Sequence, residues 1–395
     1  MTVATGHSHD LDSADAIAEA LDACSARLGD LVPQAGLLFA SIDHDFQALL
    51  DGIEARYPGI QLIGCTTHGE LSSEAGFAED SLVLTLLHSE RVAFRAGIGE
   101  GTRTNPDAPR QAVAQALDGL AEPVRLCITL PEGIGGSGAD APGALPAGLL
   151  NALGEALGPD VPVCGGMAAD QFRFTGTYQF CNGAVYSDAV PVLLFAGPLS
   201  VSTGVASGWD PVGEDRRVTE ADGLVVAGID GESPREVWLR TFGSVDLTGA
   251  RNALAVYPDE AQGRDAEAFY LSSPSRFQDD GSMVTMNPVA QGARIRFTTA
   301  VRDQVLAGVT TSAQRARAAY PGGEPAAALV FSCVGRYYIL GTKVREEVGL
   351  LQEGVGADVP ASGFYTYGEI CPLSGSSRPF HHGGTFVTVL IGEEA

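Results

Sequence analysis

The stretch Gly64-Cys65-Thr66-Thr67-His68-Gly69-Glu70-Leu71 returns near the far end of the chain as Gly363-Phe364-Tyr365-Thr366-Tyr367-Gly368-Glu369-Ile370. Both read G-x-x-T-x-G-E-[LI]. Each follows an apolar run, an amphipathic stretch and a second apolar run, and each leads after a polar loop into another strand-like run. A third stretch, Gly165-Gly166-Met167-Ala168-Ala169-Asp170, holds the corresponding place in the middle of the chain, with Asp170 near the acidic position. The order strand–helix–strand–loop–strand thus occurs over about residues 35–100, again over 124–208, and once more at the end. Strands alternating with helices in a repeated unit predict an α/β (α+β) fold, with mixed sheets covered by helices.

Local patterns fill in this outline. Ile17, Leu21, Cys24 and Leu28 form one helical stripe, so 13–28 is a helix that Asp12 or Ser13 can cap. Ser233-Pro234-Arg235-Glu236 places a cap, a first-turn proline and an acid at a second helix start. Asp279–Ser282 (DDGS) reads as a hairpin-type turn. The organisation expected is an N-terminal helix and extension (1–32), a first domain (33–217) and a second domain (218–395). His7 and His9 fall on what the sequence suggests is a frayed terminus.

Composition excludes several functions. The formal charge is −25, from 24 Lys+Arg against 49 Asp+Glu, which repels phosphate backbones and anionic membranes. Nucleic acid is therefore not expected as a partner. Lys343 is the only lysine, which removes P-loop, Schiff-base and kinase-lysine chemistry. No apolar run approaches the ~20 residues of a membrane span, and the first residues lack the basic and apolar regions of a signal peptide. A cytoplasmic protein is expected. The seven cysteines include no C-x-x-C pair and lie mostly in apolar runs, as core residues do.

The chemistry-bearing residues concentrate in the last copy. Tyr365, Tyr367, Glu369 and His381 combine rings, hydroxyls, a carboxylate and an imidazole, a set suited to a small zwitterion. Glu369 would take the ammonium, and Arg336 or Arg378 the carboxylate, since a guanidinium matches it in a bidentate way. Tyr365 and Tyr367 alternate with Thr366, so both are expected on one face. The plainer alternative is that Glu70, Asp170 and Glu369 only pin their own loops. No zinc set, nucleophile elbow or dinucleotide fingerprint occurs, Cys65 and His68 make a poor dyad, and an enzyme is not expected. Metal and cofactor are expected to be absent. A haem needs only one axial ligand, and His381 or His382 would then supply it.

The segments GCTTHGELSS, CGGMAADQFRF, GWDPVG, VTEADGLVVAGIDGESPREVW, ALVFSCVGR, GFYTYGEICPL and FHHGGTFVTVLIGE together resemble the FIST family, over about residues 35–393. The resemblance implies an N-terminal FIST domain followed by a C-terminal one. It also implies a sensory role, with amino-acid-like ligands and a histidine kinase, a diguanylate cyclase or phosphodiesterase, or a chemotaxis protein as separate partner. One branch implies the alternative of a haem-containing nitric-oxide sensor. The family's usual ending is close to F-H-N-Q-T. Here Phe380 and His381 match it, but His382, Gly383 and Gly384 replace the amides.

Overall fold

The computed structural model describes residues 1–134, 145–146, 148–249, 251–258, 268–373, 376 and 378–394. The first unit runs β1 (Thr2–Ser8), α1 (Ser13–Leu28), β2 (Ala35–Ala40), α2 (Phe46–Arg56), β3 (Gln61–Thr66), β4 (Glu70–Ser72), β5 (Gly76–Ala78) and β6 (Leu82–His88). Asp12 caps α1 by accepting from the amides of Ala14 and Asp15, and the expected stripe is its buried face. The second unit repeats the path as β7 (Ala93–Glu100), α3 (Ala108–Leu117), β8 (Val124–Thr129), α4 (Leu149–Leu157), β9 (Val163–Gly166), β10 (Gln179–Cys181), β11 (Ala184–Tyr186) and β12 (Ala189–Ala196).

The third unit opens with β13 (Leu199–Ala206) and is then interrupted. The insertion comprises β14 (Trp209–Asp222), β15 (Val225–Ile229), α5 (Pro234–Phe242), β16 (Asn252–Tyr257), β17 (Tyr270–Ser272), β18 (Pro274–Phe277), β19 (Met283–Thr285) and β20 (Arg294–Ala300). The unit resumes with α6 (Arg302–Ala319), β21 (Ala327–Cys333), α7 (Val334–Leu340), α8 (Glu347–Val355), β22 (Ala361–Thr366), β23 (Glu369–Pro372), β24 (Pro379–His382) and β25 (Phe386–Glu393).

The units trade hairpins. Sheet order is β1-β6-β2-β3-β10-β11 in the first sheet, β7-β12-β8-β9-β23-β24 in the second and β13-β25-β21-β22-β4-β5 in the third. Each sheet therefore holds four strands of its own unit and a hairpin from another. The second unit gives β10-β11 to the first sheet, the first gives β4-β5 to the third, and the third gives β23-β24 to the second. The inner faces share one core, to which Leu37, Phe39 and Ile63, then Ile128 and Phe195, then Phe331, Phe364 and Val389 contribute from successive units. The helices pack outside, with α1 and α2 against the first sheet through Ile17, Leu21, Leu49 and Ile53. The insertion forms a seven-stranded sheet with its own core around Trp238, Ile295 and Phe297.

The repeat is present at residue level. Gly64 lies opposite Phe180, Gly165 opposite Ile370, and Gly363 opposite Leu71, each pair joining a second parallel strand to a received hairpin. A methyl group on these glycines would stand 2.3, 1.9 and 1.8 Å from the carbonyl oxygens of Leu38, Thr129 and Val330. Close backbone approach thus excludes a side chain at the same place in all three units.

Three expectations are corrected. Residues 2–8 are not frayed but an edge strand along β6, and His7 bonds the hydroxyls of Ser72 (2.7 Å) and Ser81 (3.0 Å). The runs at 92–98 and 200–206 open the next unit rather than closing the previous one, since β7 pairs with β12 and β13 with β25. Ser233 precedes α5 but makes no side-chain cap, because its hydroxyl donates to the carbonyl of Gly281 at 3.1 Å.

Candidate functional site

The loops after β3, β9 and β22 meet at one end of the core. The amide of His68 donates to Tyr365 O at 3.1 Å, Ala169 N to Thr66 O at 2.8 Å, and Met167 N to Gly368 O at 2.9 Å. Four residues beyond the equivalent glycines stand His68, Ala169 and Tyr367. The methyl of Ala169 fills little space, and Phe172 from the following loop packs against the other two.

The result is a run of rings. Phe172 stacks on Tyr338 (centroids 4.7 Å apart) and on Tyr367 (6.1 Å), while Phe174 stacks on Tyr367 (5.6 Å). His68 lies against Phe172 at 4.2 Å and Tyr337 at 5.0 Å. Tyr338 is 56% exposed and Phe174 46%, so the run opens to solvent. His68 is 4% exposed, and neither of its ring nitrogens has a hydrogen-bond partner among the described residues. Burial lowers its pKa to about 4, so the ring is neutral at pH 7 and offers one donor and one acceptor.

The loop that carries Phe172 and Phe174 is strained. Gln171, Phe172 and Phe174 have φ of 55°, 60° and 50°, in the left-handed region that non-glycine residues avoid. Such conformations cost on the order of 1–3 kcal/mol each and persist only where the surroundings impose them. Here Asp170 accepts from Thr175 N (2.8 Å) and Tyr367 Oη (2.6 Å), and Tyr367 Oη accepts from Phe172 N (2.7 Å). Arg173 clasps Asp43 through both terminal nitrogens, at 2.7 and 2.5 Å. Glu79 accepts from Tyr337 Oη at 2.8 Å, so the aromatic run is bordered by acids.

The residues singled out from the sequence fall into separate places. Tyr367 belongs to the aromatic run. Tyr365 does not share its face: β22 ends at Thr366, so strand alternation stops before Tyr367. Tyr365 Oη instead donates to Glu347, which also binds Arg336 at 2.6 Å, and all three side chains are fully buried. Arg336 further donates to the carbonyls of Ser207 and Val305, each at 2.9 Å, which ties α7 to the residue just after β13 and to α6. Glu369 is buried, and its Oε2 accepts from the amide and hydroxyl of Thr385, at 2.9 and 2.6 Å. Glu70 likewise accepts from Thr67 and Ser81. The register gives the middle counterpart as Gln179, not Asp170, because residues 170–178 lengthen that loop. Gln179 Oε1 accepts from the amide of Ala189, at the start of β12. All three side chains thus reach the entry to their own unit's last strand.

His381 and Arg378 line a different cleft, of about 360 Å³, against the inserted sheet. Neither expected haem ligand fits that role. His382 is buried with Nε2 bonded to the carbonyl of Cys371 at 2.8 Å. His381 Nε2 packs so closely on Gly368 that a methyl there would come within 2.1 Å, and its Nδ1 is buried. No cluster of three or more metal-binding side chains occurs among the described residues. All seven cysteines are buried, and no helix among the described residues is long and apolar enough to cross a membrane. Phe172, Tyr338 and His68 as an orphan escaped the sequence reading. The available signals were the aromatic spacing in QFRF and the pair Tyr337-Tyr338.

The FIST N domain profile matches residues 34–232, and the FIST C domain profile matches 236–372. The chain belongs to the FIST family. FIST domains are associated with sensory signal transduction and small-ligand binding. An uncharacterized Mycobacterium tuberculosis protein is 27% identical over 389 residues, covering 95% of this chain and 96% of that protein. An uncharacterized Methanocaldococcus jannaschii protein is 26% identical over 246 residues, covering 60% of this chain and 45% of that one. Cyanuric acid hydrolase from A. caulinodans aligns over 100% of this chain and 99% of its own, at 11% identity and a TM-score of 0.37, which carries no functional argument. The two FIST profiles meet between 232 and 236, yet β13 pairs with β25 and β23 with β9 across that division. The FIST segments GCTTHGELSS, CGGMAADQFRF and GFYTYGEICPL supply all three loops of the aromatic site.

Proposed function

We propose that the protein is a non-enzymatic sensor that binds a small amino-acid-like ligand on the aromatic run and signals to a separate partner. The observation that carries this reading is His68: a buried imidazole without a polar partner among the described residues, beside stacked rings that open to solvent. Leaving a buried polar group unpaired costs about 1–3 kcal/mol, and a ligand group bonded to the ring would recover it. Ring faces bordered by Glu79 and Asp170 suit an ammonium group. The strained 171–174 loop is the element whose conformation a ligand would bias, which supports a signalling use of the site. A histidine kinase, a cyclic-dinucleotide enzyme or a chemotaxis protein would read that change, as the family's sensory association supports.

The test is a calorimetric titration of the full chain with the twenty amino acids and simple aromatic amines. At least one should bind saturably, and Tyr338→Ala should weaken it about tenfold or more without loss of fold, since Tyr338 is exposed. Binding unaffected by Tyr338→Ala and Phe174→Ala would move the ligand elsewhere. No binding by any of these compounds would overturn the reading.

A further inference from the structure

The cleft of about 360 Å³ between β24 and the inserted sheet shares no lining residue with the aromatic run, and its chemistry is opposite. Tyr270, Phe380, His381 and Arg378 line it, together with Asn287 and the start of α4. In a chain with 49 acidic residues, no Asp or Glu is among the described residues that line this cleft, and Arg378 brings it a positive charge. The guanidinium lies over the Phe380 ring at 5.6 Å, with Nη2 3.3 Å from Asn151 Oδ1. Tyr270 stacks on Phe380 at 5.9 Å, which extends a flat apolar wall beside the cation.

The wall is held from behind. Asn287 Nδ2 donates to the carbonyl of His381 at 2.7 Å, and Tyr270 Oη donates to the carbonyl of Pro288 at 3.0 Å. The first bond joins the insertion to the hairpin that the third unit lends to the second sheet, and the second fixes Tyr270 within the insertion. The volume lies at the small end of ligand pockets, which form preferentially at such joints. We infer that this cleft is a second binding site, for a small aromatic carboxylate: Arg378 takes the acid group and the Phe380–Tyr270 wall takes the ring. A guanidinium on an aromatic face keeps its donors directed at the edge, where a carboxylate meets them in the plane.

The experiment titrates the full chain with phenylacetate and, separately, with phenylacetamide, which keeps the ring and loses the charge. Phenylacetate should bind saturably and at least about tenfold more tightly than the amide, because charge-assisted bonds are the stronger ones. Arg378→Gln should remove that preference and leave the melting temperature unchanged, since the side chain is exposed. Tyr338→Ala, at the aromatic run, should leave phenylacetate binding intact, which separates this site from the first. Equal binding of acid and amide, or an unaltered preference in Arg378→Gln, overturns the assignment. So does the absence of saturable phenylacetate binding.

Discussion

His68 and Tyr367 stand at the same place in two units of one repeat, each four residues past a glycine that the neighbouring strand presses against. One position has thus become an imidazole without a hydrogen-bond partner among the described residues, and the other a phenol bonded to Asp170. The third has become Ala169, whose small side chain admits Phe172. A threefold scaffold has been differentiated at its meeting point.

His68→Phe should keep the fold and remove ligand binding at the aromatic run. It should also change the acid limb of stability. The folded pKa of about 4 lies below the ordinary 6.5, so the unfolded chain gains its proton first as pH falls. Stability from this group is therefore present above 6.5 and lost down to about 4. Denaturant midpoints at pH 7 and 5 should lie closer together in the variant than in the parent.

Glu70 and Glu369 give the opposite limb. Burial raises both pKa values from the ordinary 4.5 to about 8. The folded state holds protons that the unfolded chain has released, so stability is full below 4.5 and falls as pH rises to about 8. Glu70→Gln and Glu369→Gln should each fold, with Gln179 as the internal precedent, and should flatten the decline between pH 5 and 8. Calorimetric scans across that range decide it; a Glu369→Gln protein that melts lower at pH 8 than the parent contradicts the account.

Arg336→Ala should cost about 3–5 kcal/mol, because it leaves Glu347 buried without its cation. Tyr365→Phe should cost less, about 1–2 kcal/mol for one hydrogen bond. Neither should alter ligand affinity in the protein that remains folded. Equilibrium denaturation paired with titration measures both quantities.

Alanine at Gly64, Gly165 or Gly363 should destabilise by about 3 kcal/mol or more in each case, since the new methyl meets backbone rather than a movable side chain. Gly59→Ala is the contrast. It has φ of 76° and nothing within 4 Å, so it should cost only the strain of the left-handed backbone, about 1 kcal/mol. Denaturant midpoints of the four variants test the ranking.

Much of this fold was legible because its signals are local. The α1 stripe, the buried strands and the G-x-x-T-x-G-E motif each depend on neighbours in sequence. The hairpin exchange was not, because Glu70–Ala78 reads as a hairpin whichever sheet receives it. β1 was missed because Gly6-His7-Ser8-His9 is polar, yet its partners lie more than sixty residues away in Ser72 and Ser81. Asp170 was matched to the wrong position because an insertion separates it from Gln179. At the site, Tyr367 was recognised by type. Arg336 and Tyr365 looked like ligand groups because a buried network and a binding pocket use the same residues, and only the location of Glu347 tells them apart.

The traded hairpins have a consequence for how the molecule comes apart. Each lobe is fastened to the next by strands it does not own, and the fastening runs round a closed circuit. No lobe can melt without tearing a sheet of another, so the boundary between the two FIST profiles is not a thermodynamic seam. Heating should give one endotherm for the three lobes together. The inserted sheet lies outside that circuit with a core of its own, yet Trp209, Ala253, Leu271 and Ala300 pack into the core around α6, so it is coupled to the third lobe through packing rather than through shared strands.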